Sequence, residues 1–370
     1  MSKLHQLHEL GQSTWLNYMR RAYIQSGGLR EHLADGIQGV TANAAVFEET
    51  ISNHDDYDEQ IRKELMAGIP TTRIQEALMV DDVQRAADLL HPIYESSDGL
   101  DGFASIELDP SLTDEQVCAV ATARRLLTGI DRGNVMVEMP ATRQGIAALE
   151  TLTADGVSLN ITHIFSITVF ERVAQAYIAG LETYFETHSV WRTAPTAVAS
   201  FSLAPIDRAV DKKLAGMNRP DLMGKSGIAM ARLLYARFQE IFSGPRWQRL
   251  LARGARALRP KWTRITPYDT RYPDTYYTDA LIGPDTVLTF TPSTFDAFLD
   301  HGLVGLTVNE DLACAAVDLL QIEKLGLDLE ALMEEVQRAH LDASDKQYQS
   351  LIQSVIRRLY VDAPHGGIVV

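Results

Sequence analysis

Polar side chains at alternate positions of otherwise apolar runs mark where this chain could do chemistry. They are Asn17; Thr41 and Asn43; Ser105 and Glu107; Glu138; Asn160 and Thr162; and Ser200 and Ser202. Any one of them alone reads as a satisfied core polar group or a helix cap. Six successive segments carrying them on one parity ask for more, because unpartnered polar groups are costly to bury. Two of the set are carboxylic acids. If Glu107 and Glu138 come from neighbouring strands, like charges ~5 Å apart at an effective dielectric of ~20 repel by about 3 kcal/mol, or roughly two pKa units. One of the two then keeps its proton near neutral pH, and a neutral acid beside an ionised one is a general acid/base pair. His163 invites a metal site of two carboxylates and an imidazole. It is one residue out of phase with Asn160 and Thr162, however, and is expected between strand and helix. No metal or cofactor is implied.

The elements that must position these groups follow from hydrophobic period. Short apolar, β-rich runs alternate with longer amphipathic segments, the pattern of βα units around a parallel sheet. The strands are STWLNYM, GIQGVTAN, GFASIEL, NVMVEMP, SLNITHIF and AVASFSLA, with two weaker ones in the last third. Helices between them include SLTDEQVCAVATARRLLTGI, TRQGIAALETLTADG and ITVFERVAQAYIAGLETYF. Thr113 ahead of Asp114 and Glu115, and Thr142 ahead of Gly145, read as helix N-caps. Residues 48–95 are helical beyond what one crossover needs and form an insertion. Residues 293–361 are again helical and are expected to pack over the outside. The whole chain, 1–370, reads as one (β/α)₈ barrel domain, with reacting groups at the C-terminal strand ends.

Charge narrows the partner. A formal net charge of −15 without a Lys/Arg-rich run argues against nucleic-acid and anionic-membrane binding and for a small molecule. A homo-oligomer is left open. Cys118 and Cys314 lie in apolar helical stretches and are expected to be buried free thiols. The N-terminal MSKLHQLHELGQSTW has no apolar signal core and no window has spanning length, so the cytoplasm is the expected compartment.

The runs GQSTWLNYMRR, GVTANAAVFEE, YESSDGLDGFASIELDPSL, NVMVEMPATRQGIAAL, SLNITHIFS, AVASFSLAPIDRAVDKKL, SGIAMARLLYARF and RPKW resemble, in order, the signature segments of bacterial transaldolases. The resemblance covers essentially the whole chain. It implies an α/β fold, a TIM (β/α)₈ barrel of the transaldolase and class I aldolase type with extra helices. It also implies departures. The family's Schiff-base lysine, ahead of Pro-Ala-Thr, falls on Glu138; its strand-one aspartate falls on Asn17; and its phosphate-binding arginine, five residues after the strand-six serine, falls on Pro205. Thr41, Asn43, Glu107, Asn160, Thr162, Ser200 and the helical Arg232, which in the family helps hold phosphate, are kept.

A carboxylate cannot form an imine, so the family's own cleavage chemistry is expected to be absent. Lys261 on RPKW is the only other lysine expected to face inward. An anion, if bound, would meet Arg232 or the strand-end Arg264. Three readings follow. The leading one is an enzyme using non-covalent acid/base chemistry (isomerisation, elimination, aldol-type or acid-initiated cyclisation), with Glu138 as acid/base, Glu107 tuning it, and Asn17 and the kept polar groups orienting substrate. The second is a pseudoenzyme that senses a ligand or scaffolds a partner. The third is a transaldolase with its lysine relocated to residue 261.

Overall fold

The structure, a computed structural model, describes residues 2–188 and 193–361. Eight strands, β1 (Gln12–Asn17), β2 (Gly39–Ala42), β3 (Phe103–Glu107), β4 (Val135–Pro140), β5 (Leu159–Ile164), β6 (Ala197–Ser202), β7 (Arg259–Thr263) and β8 (Thr286–Phe290), pair in sequence order. All neighbours are parallel, and β8 returns to β1, so the sheet closes into a barrel without an edge. The six clear strands and the two weak ones of the sequence reading all form.

The barrel interior is layered. Trp15, Phe103, Met136, Val198 and Val287 make a separate apolar cluster inside it. Trp15 fits because its register partner on β2 is Gly39, where a Cβ would lie 2.5 Å from the indole ring. Another inward layer is ionic. Arg259 on β7 donates to Ser13 at 2.6 Å and to Asp101 at 3.0 Å, while Ser13 donates to Asp101 at 2.7 Å. All three are buried, and Arg259 also donates to the Leu100 carbonyl at 2.7 Å.

Residues 48–95 are helical, within Ala44–Asn53, Asp58–Met66 and Thr71–Ser96 between β2 and β3. The C-terminal helix Leu329–Val361 departs from expectation. It does not pack only on the outside but crosses the barrel mouth, where Gln337 donates to the carbonyls of Ala141 (3.2 Å) and His163 (2.9 Å). Farther along, Ser350 and Ser354 donate to Glu48, and Arg358 donates to the Ile51 carbonyl, tying it to the Ala44–Asn53 helix. Its pattern gave no hint of this, because the face turned to the mouth is small and polar rather than apolar.

Two smaller expectations are corrected. Cys118 and Cys314 are free but exposed; in Gln116–Ile130 the buried face is Ala119, Val120, Ala123 and Leu126, and Cys118 lies outside it. Thr113 caps no following helix, since its hydroxyl donates back to the Pro110 carbonyl at 2.7 Å and the helix begins after Glu115. Thr142 is an N-cap, accepting from the Gly145 amide at 3.0 Å. No helix of the described residues is long and apolar enough to cross a membrane.

Replacing Arg259 with methionine leaves the Asp101 carboxylate buried without its cation. A loss of about 3–5 kcal/mol in unfolding free energy is expected by chemical denaturation, and a loss below about 1 kcal/mol would show the network to be dispensable.

Candidate active site

At the C-terminal mouth the strand ends surround a cavity of about 690 Å³. Asn17, Thr41, Asn43, Glu107, Glu138, Asn160, Thr162, Ser200, Ser202 and Arg264 all line it, so one parity on successive strands does converge on one space. Arg232 is not brought there. It lies on the helix Ser226–Ile241, with Glu310 at 4.0 Å and the Ala280 carbonyl at 3.5 Å, and its expected contact with a bound anion is corrected.

Glu138 sits in the middle of β4 with only 6% of its surface exposed. The Thr41 hydroxyl donates to its Oε1. Next to it Asn160 donates to Ser105 at 3.2 Å and accepts from Ser200 at 2.7 Å, a belt of side-chain hydrogen bonds running from β3 through β5 to β6. These polar groups are therefore partnered by one another, and Thr41, Glu138, Asn160 and Ser200 still line the cavity.

Glu107 is paired in register with Glu138 across β3 and β4. Its carboxylate accepts from the Ala44 amide at 2.9 Å, at the start of the helix capped by Asn43, and from Ser344 of the C-terminal helix at 3.1 Å. These donors favour the charged form, and so does Arg264. Burial, and after it the Glu138 carboxylate, outweigh them and push Glu107 up to about 7. The two glutamates are thus register neighbours lining one cavity, and Glu107 is the one whose carboxyl is pushed up.

Lys261 also faces inward. It is 1% exposed, and its Nζ lies 4.5 Å from the centre of the Trp15 ring. Burial pulls its amine down to about 8, opposed by the field of Glu138. No carboxylate of the described residues comes within 4.0 Å of it, and the same holds for Arg264, so Glu138 is not locked in an ion pair with either cation.

His163 is a correction to strand parity. A bulge between Ile161 and Ile164 sets it at φ 58°, which turns it into the cavity lining. Burial, with Arg264 nearby, holds its imidazole down at about 3. Among the described residues no three His, Cys, Asp or Glu side chains gather as metal ligands, so Glu107, Glu138 and His163 do not form the suggested site.

Several lining residues were not singled out by sequence. Arg208 and Lys212 come from Ala204–Gly216, the helix after β6, while His340, Ser344 and Gln347 come from the C-terminal helix. The first two were legible in principle, being four residues apart on one helical face just beyond a strand end. The others were not, since nothing local says that a helix lies over a mouth built some two hundred residues earlier.

A closed parallel (β/α)₈ barrel with its polar groups gathered at the C-terminal mouth is the arrangement found in barrel enzymes of many chemistries. Residues 14–355 match the family model described as Transaldolase/Fructose-6-phosphate aldolase. The chain is 36% identical over 365 residues to a transaldolase of Thermobifida fusca, covering 97% of this chain and 98% of that one. It is 37% identical over 362 residues to a transaldolase of Saccharopolyspora erythraea, with 97% and 98% covered. A protein of Nostoc punctiforme named transaldolase 2 shares 34% over 375 residues, again with 97% and 98% covered. The chain belongs to the transaldolase/fructose-6-phosphate aldolase family, whose members are enzymes.

Glu107 binds its proton more tightly folded than unfolded. Its contribution to stability is therefore full below pH ~4.5 and lost as pH rises through about 7. Melting temperature followed from pH 4 to 9 should fall less across that window for Glu107→Gln than for the parent; parallel curves would contradict the assignment.

Proposed function

We propose that this chain is an enzyme performing acid/base chemistry on a small polyhydroxylated carbonyl compound at the barrel mouth, without an imine at residue 138. The observation that carries this reading is the pair Glu138 and Glu107, register neighbours facing one cavity, with Glu107 able to hold a proton to about pH 7. Glu138 is the leading acid/base group and Glu107 tunes it. Asn17, Asn43, Thr162 and Ser202 offer amides and hydroxyls to substrate oxygens, Thr41 holds the Glu138 carboxyl, and Asn160 and Ser200 hold each other at the cavity wall. Enolisation next to a carbonyl, leading to isomerisation, elimination or aldol-type bond formation, suits this set. Burying a carboxyl inside a barrel is unfavourable unless it is paired or used, and among the described residues no cation lies within 4.0 Å of Glu138, which favours an enzyme over a ligand-sensing pseudoenzyme.

A second reading is favoured by one observation. Lys261 is an amine inside the same cavity, held down to about 8, and an amine with lowered pKa is a nucleophile toward carbonyls. It would condense with a ketone, releasing water and leaving a protonated imine, as in transaldolase chemistry with the lysine moved to β7.

Incubation with ketose and aldose phosphates in deuterium oxide separates the two. The first reading expects deuterium incorporation next to the carbonyl that falls about 100-fold or more in Glu138→Gln. It also expects an unmodified protein mass after borohydride treatment with fructose 6-phosphate. Exchange that survives Glu138→Gln would sink it, and a reduced adduct lost in Lys261→Met would establish the second.

A further inference from the structure

The apolar cluster inside the barrel has a polar layer directly above it. Two residues beyond Trp15, Phe103, Met136, Val198 and Val287 stand Asn17, Ser105, Glu138, Ser200 and Thr289, each on the inward parity of the same strand. Three of these five are partnered: Ser105 and Ser200 share Asn160, and Glu138 takes the Thr41 hydroxyl. Thr289 differs. It lines the cavity, is 5% exposed, and its Oγ1 has no hydrogen-bond partner among the described residues. A buried hydroxyl left open beside bonded neighbours calls for a partner from outside the chain.

Lys261 is a second such group, and it adjoins the first. Thr289 is the register neighbour of Trp15 across β8 and β1, and the Lys261 Nζ rests 4.5 Å from the centre of the Trp15 ring, so one indole lies beside both. Beyond that ring the amine makes no hydrogen bond or ion pair among the described residues. Burial lowers it to about 8, which leaves it mainly charged at pH 7. A ring face offsets only part of the cost of burying that charge. An ammonium and a hydroxyl on one patch, both with donors to spare, suit an oxygen that gains negative charge. The base stands on the other wall. In a ring of eight strands β4 and β8 are four apart, so Glu138 stands opposite Thr289, with Lys261 beside Thr289 on β7. A carbonyl compound held between the walls presents its α-carbon to one and its oxygen to the other.

We infer that Lys261 and Thr289 form the site for the substrate's carbonyl oxygen, donating to it and holding the negative charge that it gains when Glu138 takes a proton from the adjacent carbon. The C–H bond breaks to Glu138, its electron pair forms the carbon–carbon double bond, and the carbonyl π pair moves to oxygen. Return of a proton or deuteron from Glu138 to that carbon completes the exchange. Lys261 stays an ammonium throughout and forms no bond to carbon. The substrate is thereby narrowed to an aldehyde or ketone with a hydrogen on the adjacent carbon. The inference rests on the acid/base reading for the proton transfer, whereas the oxygen site itself rests on the two unpartnered groups.

Glycolohydroxamate, whose two oxygens mimic an enediolate, reads the oxygen site without turnover when titrated calorimetrically into the full chain. It should bind the parent, about tenfold or more weakly Lys261→Met, about threefold or more weakly Thr289→Val, and Thr289→Ser nearly as the parent. In deuterium exchange with ketose and aldose phosphates, kcat should fall about 100-fold in Lys261→Met and about tenfold in Thr289→Val, with KM moving less than about threefold. Near-ultraviolet circular dichroism checks that each variant is folded. Glu138→Gln should keep hydroxamate binding within about threefold while losing exchange, so base and oxygen site are read separately. Should the parent catalyse no exchange, the hydroxamate result alone decides. The inference is overturned if the hydroxamate does not bind the parent, if its binding survives Lys261→Met, if Thr289→Val binds it as the parent does, or if borohydride traps a substrate adduct on Lys261.

Discussion

A carboxyl in the middle of a barrel must be answered by its surroundings, and the rest of this site is arranged around the answer given to Glu138. Thr41 donates to it from β2, Glu107 faces it from β3, and the field of Lys261 reaches it from β7. None of these closes into a direct ion pair, so the charge is stabilised without being used up. The apolar cluster matters for the same reason. Trp15, admitted by Gly39, offers the face on which the Lys261 ammonium rests, and that keeps the amine buried yet available to the field of Glu138.

The upper half of the cavity is set by elements far away in sequence. The C-terminal helix supplies Ser344 to Glu107 and covers the mouth, while the helix after β6 supplies cations. The cavity is therefore polar in two different ways. Its depth holds carboxyls, amides and hydroxyls, and its rim on one side holds unpaired positive charge.

Much of this was legible in the chain because a parallel barrel writes itself in period-two strands. The parity rule placed Asn17, Thr41, Glu107, Glu138, Asn160 and Ser200 together correctly, since each sits on a regular strand whose register is fixed by its neighbours. It failed at His163, where a bulge breaks the period, and no local residue type announces that bulge. It also could not see Ser344 or His340, because helix-over-mouth contacts depend on tertiary packing rather than on pattern. Arg232 shows the opposite error: a residue kept by resemblance was assumed to keep its place in the site, yet its guanidinium reaches the Ala280 carbonyl and Glu310 and does not line the cavity.

The central claim is that Glu107 and Glu138 act as one coupled acid/base unit. Carbon-13 NMR of the protein labelled at the glutamate carboxyl carbon tests it most directly. One resonance should titrate near pH 7, disappear in Glu107→Gln, and move to lower pH in Glu138→Gln, where the neighbouring charge is removed. A Glu107 resonance that titrates in the ordinary carboxylate range, or one unmoved by Glu138→Gln, would contradict the account.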